Sequence, residues 1–247
     1  MEKFNKIVTG WSGNEMPDVV LACIDSWVKL GYEVQIYSEF PIQIPGVTVF
    51  NMESIDYDRN LVAEIKTKTT RISAIWNYLR LVLLRDNPGF TWVDTDVYLF
   101  KYPFPKAKNL LVTEDIKGSC GEISANNNFL KLDYNNACDA IYELRTCVSQ
   151  NTKIPLGTTG PRLLDKMWKS GQLDADVVMS PKFVNSVPWW DFYKFYSETE
   201  IEKNENTFGL HLWLNMKTFK EIEIGEGCFI DNIVKKYKES EPEAEIK

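Results

Sequence analysis

Acidic residues separated by a single position are the first candidates for chemistry in this chain. The pattern Asp-x-Asp occurs three times, as Asp56/Asp58, Asp94/Asp96 and Asp174/Asp176. Residues i and i+2 of an extended chain point to the same side, so the two carboxylates of such a pair converge on one ligand. Hard oxygen anions of this kind suit Mg²⁺ or Mn²⁺ held together with a diphosphate. A short motif still needs the right structural context before it indicates a site.

Asp94 and Asp96 differ from the other two pairs in what precedes them. They follow the apolar run from Phe90 to Val93, which predicts a strand buried on both faces. Open α/β sheets bind ligands at the carboxyl ends of their strands. We therefore expect the metal and diphosphate at this pair and regard the other two as accidental. The alternative is that Asp94 caps the next turn while Asp96 is solvated.

Histidine and cysteine offer little competing chemistry. His211 is the only histidine, which excludes sites that need two imidazoles. The five cysteines are odd in number and contain no C-x-x-C pair, which argues against a disulfide framework and a zinc site. A lone histidine is by itself more often structural than a ligand.

The elements that must position these residues follow an α/β pattern. Apolar runs alternate with amphipathic stretches in the first half of the chain, as in β-α units around a mainly parallel sheet with a Rossmann-like opening. The pattern predicts strands at 7–9, 34–37, 90–93 and 110–112, an extended stretch at 97–100, and helices at 17–30, 71–85 and 135–148. Gly31 and the breaker 86–89 end the first two helices.

Length and charge narrow the class of protein further. At 247 residues, the chain is expected to form a single domain over 1–247, with a charged tail from about residue 235. The formal net charge of -7 gives no basic surface on average, so no nucleic-acid partner is expected. The first apolar run is too short for a signal peptide or a membrane span, which favours a cytoplasmic protein without a transmembrane segment.

Several short motifs resemble the DXD-containing sugar transferases. The segment Trp76-Asn77-Tyr78-Leu79-Arg80, followed by Leu83-Leu84, Gly89 and Trp92 to Val97, resembles that family's S-D-x-x-R-Y…L…G-G-x-x-x-D-x-D signature. Weaker matches occur in the family's order at Gly10-Trp11, Pro17, Ser26-Trp27, Thr159-Gly160-Pro161, Leu163-Leu164 and His211-Leu212-Trp213-Leu214-Asn215. The family includes capsular-polysaccharide transferases, the yeast initiating mannosyltransferase, α1,4-glycosyltransferases and, more distantly, clostridial glucosylating toxins.

The resemblance implies both a fold and an activity. The fold is GT-A, a mixed, mainly parallel sheet flanked by helices. The activity is metal-dependent transfer of a sugar from a nucleotide-diphosphate donor to a hydroxyl acceptor, such as a glycan in polysaccharide biosynthesis. A UDP-sugar is the favoured donor and a GDP-sugar the alternative, the cofactor is Mn²⁺ or Mg²⁺, and the anomeric configuration is retained.

The resemblance also implies roles for individual residues. The catalytic residues are Arg80, Asp94, Asp96 and Asn127. The donor-binding residues are Thr9, Gly10, Trp11, Asn77, Arg80, Asp94, Thr95 and Trp213. The metal ligands are Asp96, His211 and Asp94. On the acceptor side lie Gly160, Pro161, Trp189 and Trp190.

Some of these positions depart from the family or carry a structural alternative. Asn77 stands where the family usually has Asp, which leaves the donor sugar open because an amide offers donors that a carboxylate lacks. Trp76 stands where the family usually has Ser. Asn127 belongs to the triplet 126–128, whose residue type alone favours a turn. Trp189 and Trp190 could equally be core residues.

Two other functions remain open at this stage. A phosphohydrolase can also use a strand ending in D-x-D, with the first Asp as nucleophile, although its usual second acidic pair is not evident here. A catalytically silent nucleotide- or carbohydrate-binding module is the third possibility. If the transfer inverted configuration, it would need a carboxylate base near the acceptor, for which the candidates are Glu114, Asp115, Glu122 and Asp191.

Overall fold

The computed structural model describes residues 5–216 and 222–240. Its strands are β1 (Lys6–Trp11), β2 (Glu33–Ser38), β3 (Val47–Asn51), β4 (Thr91–Val93), β5 (Val97–Leu99), β6 (Leu110–Asp115), β7 (Ile123–Lys131), β8 (Val177–Met179) and β9 (Gly209–His211). In this part of the chain, seven of them form one sheet of order β3-β2-β1-β4-β7-β6-β8. Only β7 runs against the other six. The strands β5 and β9 form a separate antiparallel ribbon.

Helices cover both faces of the sheet. They are α1 (Asp18–Lys29), α2 (Arg59–Lys68), α3 (Ile72–Asp86), α4 (Tyr134–Gln150), α5 (Pro161–Lys169), α6 (Lys194–Ser197) and α7 (Phe229–Lys238). One apolar core contains residues of α1, α6 and α7, and the other contains residues of α2, α3, α4 and α5. The predicted class, an α/β fold with a mixed, mainly parallel sheet between helices, is confirmed. None of the described helices is both long and apolar enough to cross a membrane.

The apolar patterns predicted most, but not all, of these elements. Strands β1, β2, β4 and β6 and helices α1, α3 and α4 occur where the sequence predicts them. The turn considered for residues 126–128 is wrong, because these asparagines lie inside the buried strand β7. The charged stretch predicted from about residue 235 overlaps α7, and residues 241–247 lie outside the described residues.

The central strand β4 carries the acidic pair to the middle of the sheet edge. It pairs in parallel with β1 and antiparallel with β7, and all three of its residues are buried. Beside it, α3 is buried along residues 74–84. Polar side chains on this stretch of α3 have little contact with bulk water, so their hydrogen bonds must come from the protein or from a ligand.

Candidate metal and donor site

The acidic pair lies in a tight turn between β4 and β5. The Asp94 N–H donates to the Asn128 carbonyl at 2.7 Å, and the Val97 N–H donates back to the Asp94 carbonyl at 3.0 Å. After this turn, β5 pairs with β9 so that Val97 lies opposite His211. Strand register therefore brings the only histidine, more than a hundred residues away in sequence, to the acidic pair.

Asp94, Asp96 and His211 form a compact cluster of candidate metal ligands. One ligand atom from each lies within 4.8 Å of the other two, and the described residues contain no other such group of three. Asp96 and His211 are buried, and the side chain of Asp94 is 24% exposed. Two carboxylates and one imidazole suit a divalent cation. The three residues predicted as metal ligands do lie together.

Asp96 is held by groups on the segment that follows β9. His211 Nε2 lies 3.3 Å from Asp96 Oδ1, and the Leu214 N–H donates to Asp96 Oδ2 at 2.9 Å. Between them, Trp213 has a φ of 58°, in the left-handed region that bulky residues rarely adopt. Its ring centroid is 3.9 Å from that of His211, and its Nε1–H donates to the Val187 carbonyl. Trp213 therefore supports His211 from the side.

Asp94 is held from the opposite direction by Arg80 and Trp92. Both donate to Asp94 Oδ1, Arg80 Nη2 at 2.8 Å and Trp92 Nε1 at 2.6 Å. Arg80 Nη1 donates to the Asn127 carbonyl at 2.6 Å, and its guanidinium lies 4.6 Å above the Trp92 ring. No described residue hydrogen-bonds to Asp94 Oδ2. The second oxygen of Asp94 is thus free to bind a ligand.

The two carboxylates have opposite pKa shifts. Burial raises the pKa of Asp94, and the negative charge of Asp96 adds to the rise although Arg80 opposes it. Burial acts in the same sense on Asp96, yet the pKa of Asp96 is lowered because His211 and the Leu214 N–H favour its ionised form. Two neighbouring carboxylates disfavour each other's ionised form, and nearby positive charge favours it. A divalent cation would supply that charge.

Asn77 and Asn127 form a buried amide pair next to Arg80. Asn127 Nδ2 donates to Asn77 Oδ1 at 2.8 Å, and Asn77 Nδ2 lies 3.3 Å from Thr159 Oγ1. A Cβ at Gly160 would come within 2.5 Å of Asn77 Nδ2 and 2.7 Å of Asn127 Nδ2, so a side chain there would displace the amide pair. Pro161 is the first residue of α5, a position that suits proline. Gly160, predicted for the acceptor side, thus packs against Asn77 and Asn127, which were predicted for donor binding and catalysis.

The carboxyl end of β1 closes the site on the other side. The ring of Trp76 would lie only 1.9 Å from a Cβ at Gly10, and Trp76 Nε1 donates to Ser12 Oγ at 2.8 Å. Among the described residues, Thr9 Oγ1, Trp11 Nε1 and Arg80 Nε are buried atoms without a hydrogen-bond partner. Buried polar atoms are nearly always paired. These three atoms belong to residues predicted to bind the donor, and a polar ligand at this edge would give them hydrogen-bond partners.

The remaining predicted residues are half-buried. Thr95 is half-buried in the turn between the two carboxylates.

Trp189 and Trp190 are half-buried, with ring centroids 5.5 Å apart at 83°. Lys117 Nζ lies 5.2 Å from the Trp189 centroid. The two tryptophans follow Val187, whose carbonyl binds Trp213, so they belong to a segment that adjoins the histidine. Phe192, Phe195 and Tyr196, which follow the two tryptophans in sequence, are buried in the apolar core.

In each of the other two D-x-D pairs, one carboxylate accepts hydrogen bonds from backbone N–H groups. Asp58 Oδ1 accepts from the Asn60 and Leu61 N–H groups and caps α2. Asp176 Oδ2 accepts from the N–H groups of Lys108 and Asn109. Neither pair belongs to a described cluster of three metal-binding side chains.

Sequence reasoning missed four side chains that hold the site together. They are Trp92, Asn128, Thr159 and Asn185, and all of them contact a predicted site residue or its partner. The first three lay within or beside quoted motifs, so their positions were a weak signal. Asn185 lies in an irregular segment, and no pattern in the sequence marks it.

Comparisons with known proteins establish the fold. No protein-family model matches the chain, and no curated protein matches it. Among solved structures, the galactosyltransferase LgtC, in complex with donor and acceptor sugar analogs, is similar with a TM-score of 0.56 and 13% identity over 96% of this chain and 98% of that one. The PaToxG glycosyltransferase has a TM-score of 0.50 and 16% identity over 67% and 69% of the two chains. The chain therefore has the GT-A fold that its motifs predicted.

Proposed function

We propose that this protein is a metal-dependent glycosyltransferase that moves a sugar from a nucleotide-diphosphate donor to a hydroxyl group. The observation that carries the proposal is the cluster of Asp94, Asp96 and His211 at the carboxyl end of β4. It lies where GT-A-type α/β sheets are expected to bind ligands. The likeness to two structures described as glycosyltransferases supports the same class.

The chemistry of transfer explains why these residue types meet. Breaking the bond between the anomeric carbon and the diphosphate leaves negative charge on the diphosphate. Asp94, Asp96 and His211 would hold Mn²⁺ or Mg²⁺, which supplies positive charge for that leaving group. Arg80 adds a second positive charge in a fixed position, because its guanidinium is already bound to Asp94 and to the Asn127 carbonyl. No protein nucleophile is required.

The donor site in this proposal lies between the end of β1 and α3. Thr9, Gly10 and Trp11 would line the nucleotide side, with Thr95 and Trp213 near the diphosphate. Asn77 and Asn127 would bind the transferred sugar through their buried amides. A UDP-sugar is the favoured donor and a GDP-sugar the alternative, and the family resemblance favours retention of configuration.

The acceptor side is proposed around Gly160, Pro161, Trp189 and Trp190. The two tryptophans are only half-buried, and partly exposed aromatic rings are suited to packing against the apolar face of a sugar. A glycan is therefore the proposed acceptor, and the family resemblance favours one of polysaccharide biosynthesis.

Ligand-induced stabilisation tests the donor site before any acceptor is known. UDP or GDP with Mn²⁺ is expected to raise the Tm of the wild-type protein, because a ligand that binds only the folded state stabilises it; at about 100 times Kd the gain is about 2.7 kcal/mol. The Asp96→Asn variant should lose the Mn²⁺-dependent part of the shift. Differential scanning fluorimetry with each nucleotide, with and without Mn²⁺, makes the measurement.

Asp174→Asn is the matched control. Asp174 belongs to another D-x-D pair and is exposed, so this variant should retain the full shift. The donor-site assignment is wrong if neither nucleotide stabilises the wild-type protein with any divalent metal, or if Asp96→Asn and Asp174→Asn behave alike.

A further inference from the structure

A chain of hydrogen bonds leads from the backbone of β6 to the ring of His211. Asn185 Nδ2 donates to the Thr113 carbonyl at 2.9 Å. Asn128 Nδ2 donates to Asn185 Oδ1 at 2.6 Å and lies 2.7 Å from His211 Nδ1. On the far side of the ring, His211 Nε2 lies 3.3 Å from Asp96 Oδ1. We name Thr113, Asn185, Asn128 and His211 the amide relay.

The direction of every bond in the amide relay follows from its first member. The Thr113 carbonyl can only accept, so Asn185 must present its NH₂ group there and its oxygen to Asn128. Asn128 must then present its own NH₂ group to Asn185, and the same nitrogen faces His211 Nδ1. Nδ1 can pair with that group only as an acceptor. The proton of a neutral imidazole therefore belongs on Nε2, where it is donated to Asp96.

We propose that Asn128 and Asn185 are positioning residues that set which ring nitrogen of His211 carries its proton, holding it on Nε2 in the metal-free protein. Both asparagines are fully buried, with 0% and 1% of their surface exposed, so water does not compete for these bonds. A histidine's second ring nitrogen commonly fixes its tautomer in this way. The consequence for cation binding rests on the proposed function, in which His211 is a metal ligand.

Cation binding at Nε2 requires the opposite tautomer. The proton must leave Nε2 and Nδ1 must carry one instead, with no net change in protonation. Asn128 Oδ1, which is buried without a partner among the described residues, would accept that Nδ1–H after a half-turn of the amide. The same half-turn brings Asn128 Oδ1 against Asn185 Oδ1, and two acceptors repel each other. Asn185 therefore favours the metal-free arrangement and opposes cation binding.

The single histidine makes the tautomer directly measurable. In the metal-free wild-type protein labelled with [¹⁵N]histidine, at a pH where the imidazole is neutral, NMR should show a protonated, pyrrole-type Nε2 and an unprotonated, pyridine-type Nδ1. In Asn128→Ala, the ring loses the partner of Nδ1 and should give a mixture of both tautomers. Asn136→Ala is the control: it removes another buried asparagine, whose partners are Asp133 and Asp174, and should leave the wild-type spectrum unchanged.

The Asn185→Ala variant separates positioning from a merely structural role. It removes the opposing acceptor, so calorimetric titration with Mg²⁺ alone should show tighter binding, by roughly ten-fold, which is the low end of the effects of outer-shell partners. A structural role predicts weaker binding. An Nδ1–H tautomer in the metal-free wild-type protein, an unchanged tautomer in Asn128→Ala, or weaker Mg²⁺ binding by Asn185→Ala would each overturn the proposal. A protein that turns over no nucleotide sugar would contradict the proposed function but not the tautomer result.

Discussion

At the scale of single residues, the site depends on one buried arginine. Arg80 joins the acidic pair to β7, because its two terminal nitrogens bind Asp94 and the Asn127 carbonyl while its plane covers Trp92. Removing one partner of such a buried pair leaves an uncompensated charge, which typically costs about 3–5 kcal/mol. Arg80 thus contributes to the folded structure and, in the proposed reaction, to the charge that faces the diphosphate.

The substitution Arg80→Lys tests whether the shape of the guanidinium matters in addition to its charge. Lysine keeps the positive charge but cannot make both bonds in one fixed plane. We expect nucleotide-sugar turnover to fall by about 10²-fold, the effect of removing one preorganised donor, in steady-state assays with Mn²⁺. Arg85→Lys, on the same helix but paired with Asp86 at the surface, should keep wild-type turnover. Equal turnover in the two variants would contradict a role for the Arg80 geometry.

Residue type predicted the acidic pair better than it predicted the partners. Asp94 and Asp96 were identifiable because an apolar run must be a buried strand, and its end must lie at the sheet edge. His211 was linked to them only by the family resemblance, since no local pattern reveals that β9 pairs with β5. Asn128 and Asn185 act through contacts between distant segments, which a single sequence does not encode in any short motif.

At the scale of elements, the ring of Trp76 on α3 packs against the end of β1 and fixes the two elements relative to each other. Trp76 fills the space that a side chain at residue 10 would need and also binds Ser12. This contact fixes the first turns of α3, which carry Asn77 and Arg80, against the end of β1, which carries Thr9. Gly10 and Trp76 are therefore a complementary pair, which gives the tryptophan at residue 76 a structural reason.

A double-mutant cycle tests the contact between Gly10 and Trp76. Gly10→Ala should destabilise the protein by about 1–3 kcal/mol, the usual cost of overpacking, because the new Cβ meets the Trp76 ring. In a Trp76→Leu background the same substitution should cost clearly less, since the ring is gone. Urea unfolding of the four proteins gives the coupling energy, which for residues in contact is about 0.5–3 kcal/mol. Additive effects would mean that the two residues do not constrain each other.

The elements show where sequence patterns succeed and where they fail. Helix α3 and strand β4 were predicted because their apolar spacing is strong and breakers flank them. Strand β7 was not predicted, and a turn was the alternative for the triplet 126–128 because asparagine favours turns in isolation. In the structure the triplet is buried, and its polar groups bind Arg80, Asn77 and Asn185. Tertiary partners override local preference at the positions that serve the site.

At the scale of the whole molecule, the fold gathers distant segments at one edge of the sheet. The end of β1, the first turns of α3, the turn after β4, the middle of β7 and the end of β9 all meet there. The two helix-covered faces bury the apolar residues and leave this edge to polar side chains. The class of the fold followed from alternating apolar runs, but the meeting of these segments depends on strand order, which the sequence pattern did not determine.

The central claim is that the edge carrying Asp94, Asp96 and His211 activates a nucleotide sugar. The most direct measurement is NMR of UDP- and GDP-sugars incubated with the protein and Mn²⁺, following release of the nucleotide diphosphate and the anomer first formed. We expect Mn²⁺-dependent turnover of at least one donor with retention, its loss in Asp96→Asn, and wild-type rates in Asp174→Asn. Absence of turnover across the donors, or turnover that survives Asp96→Asn, would contradict the account.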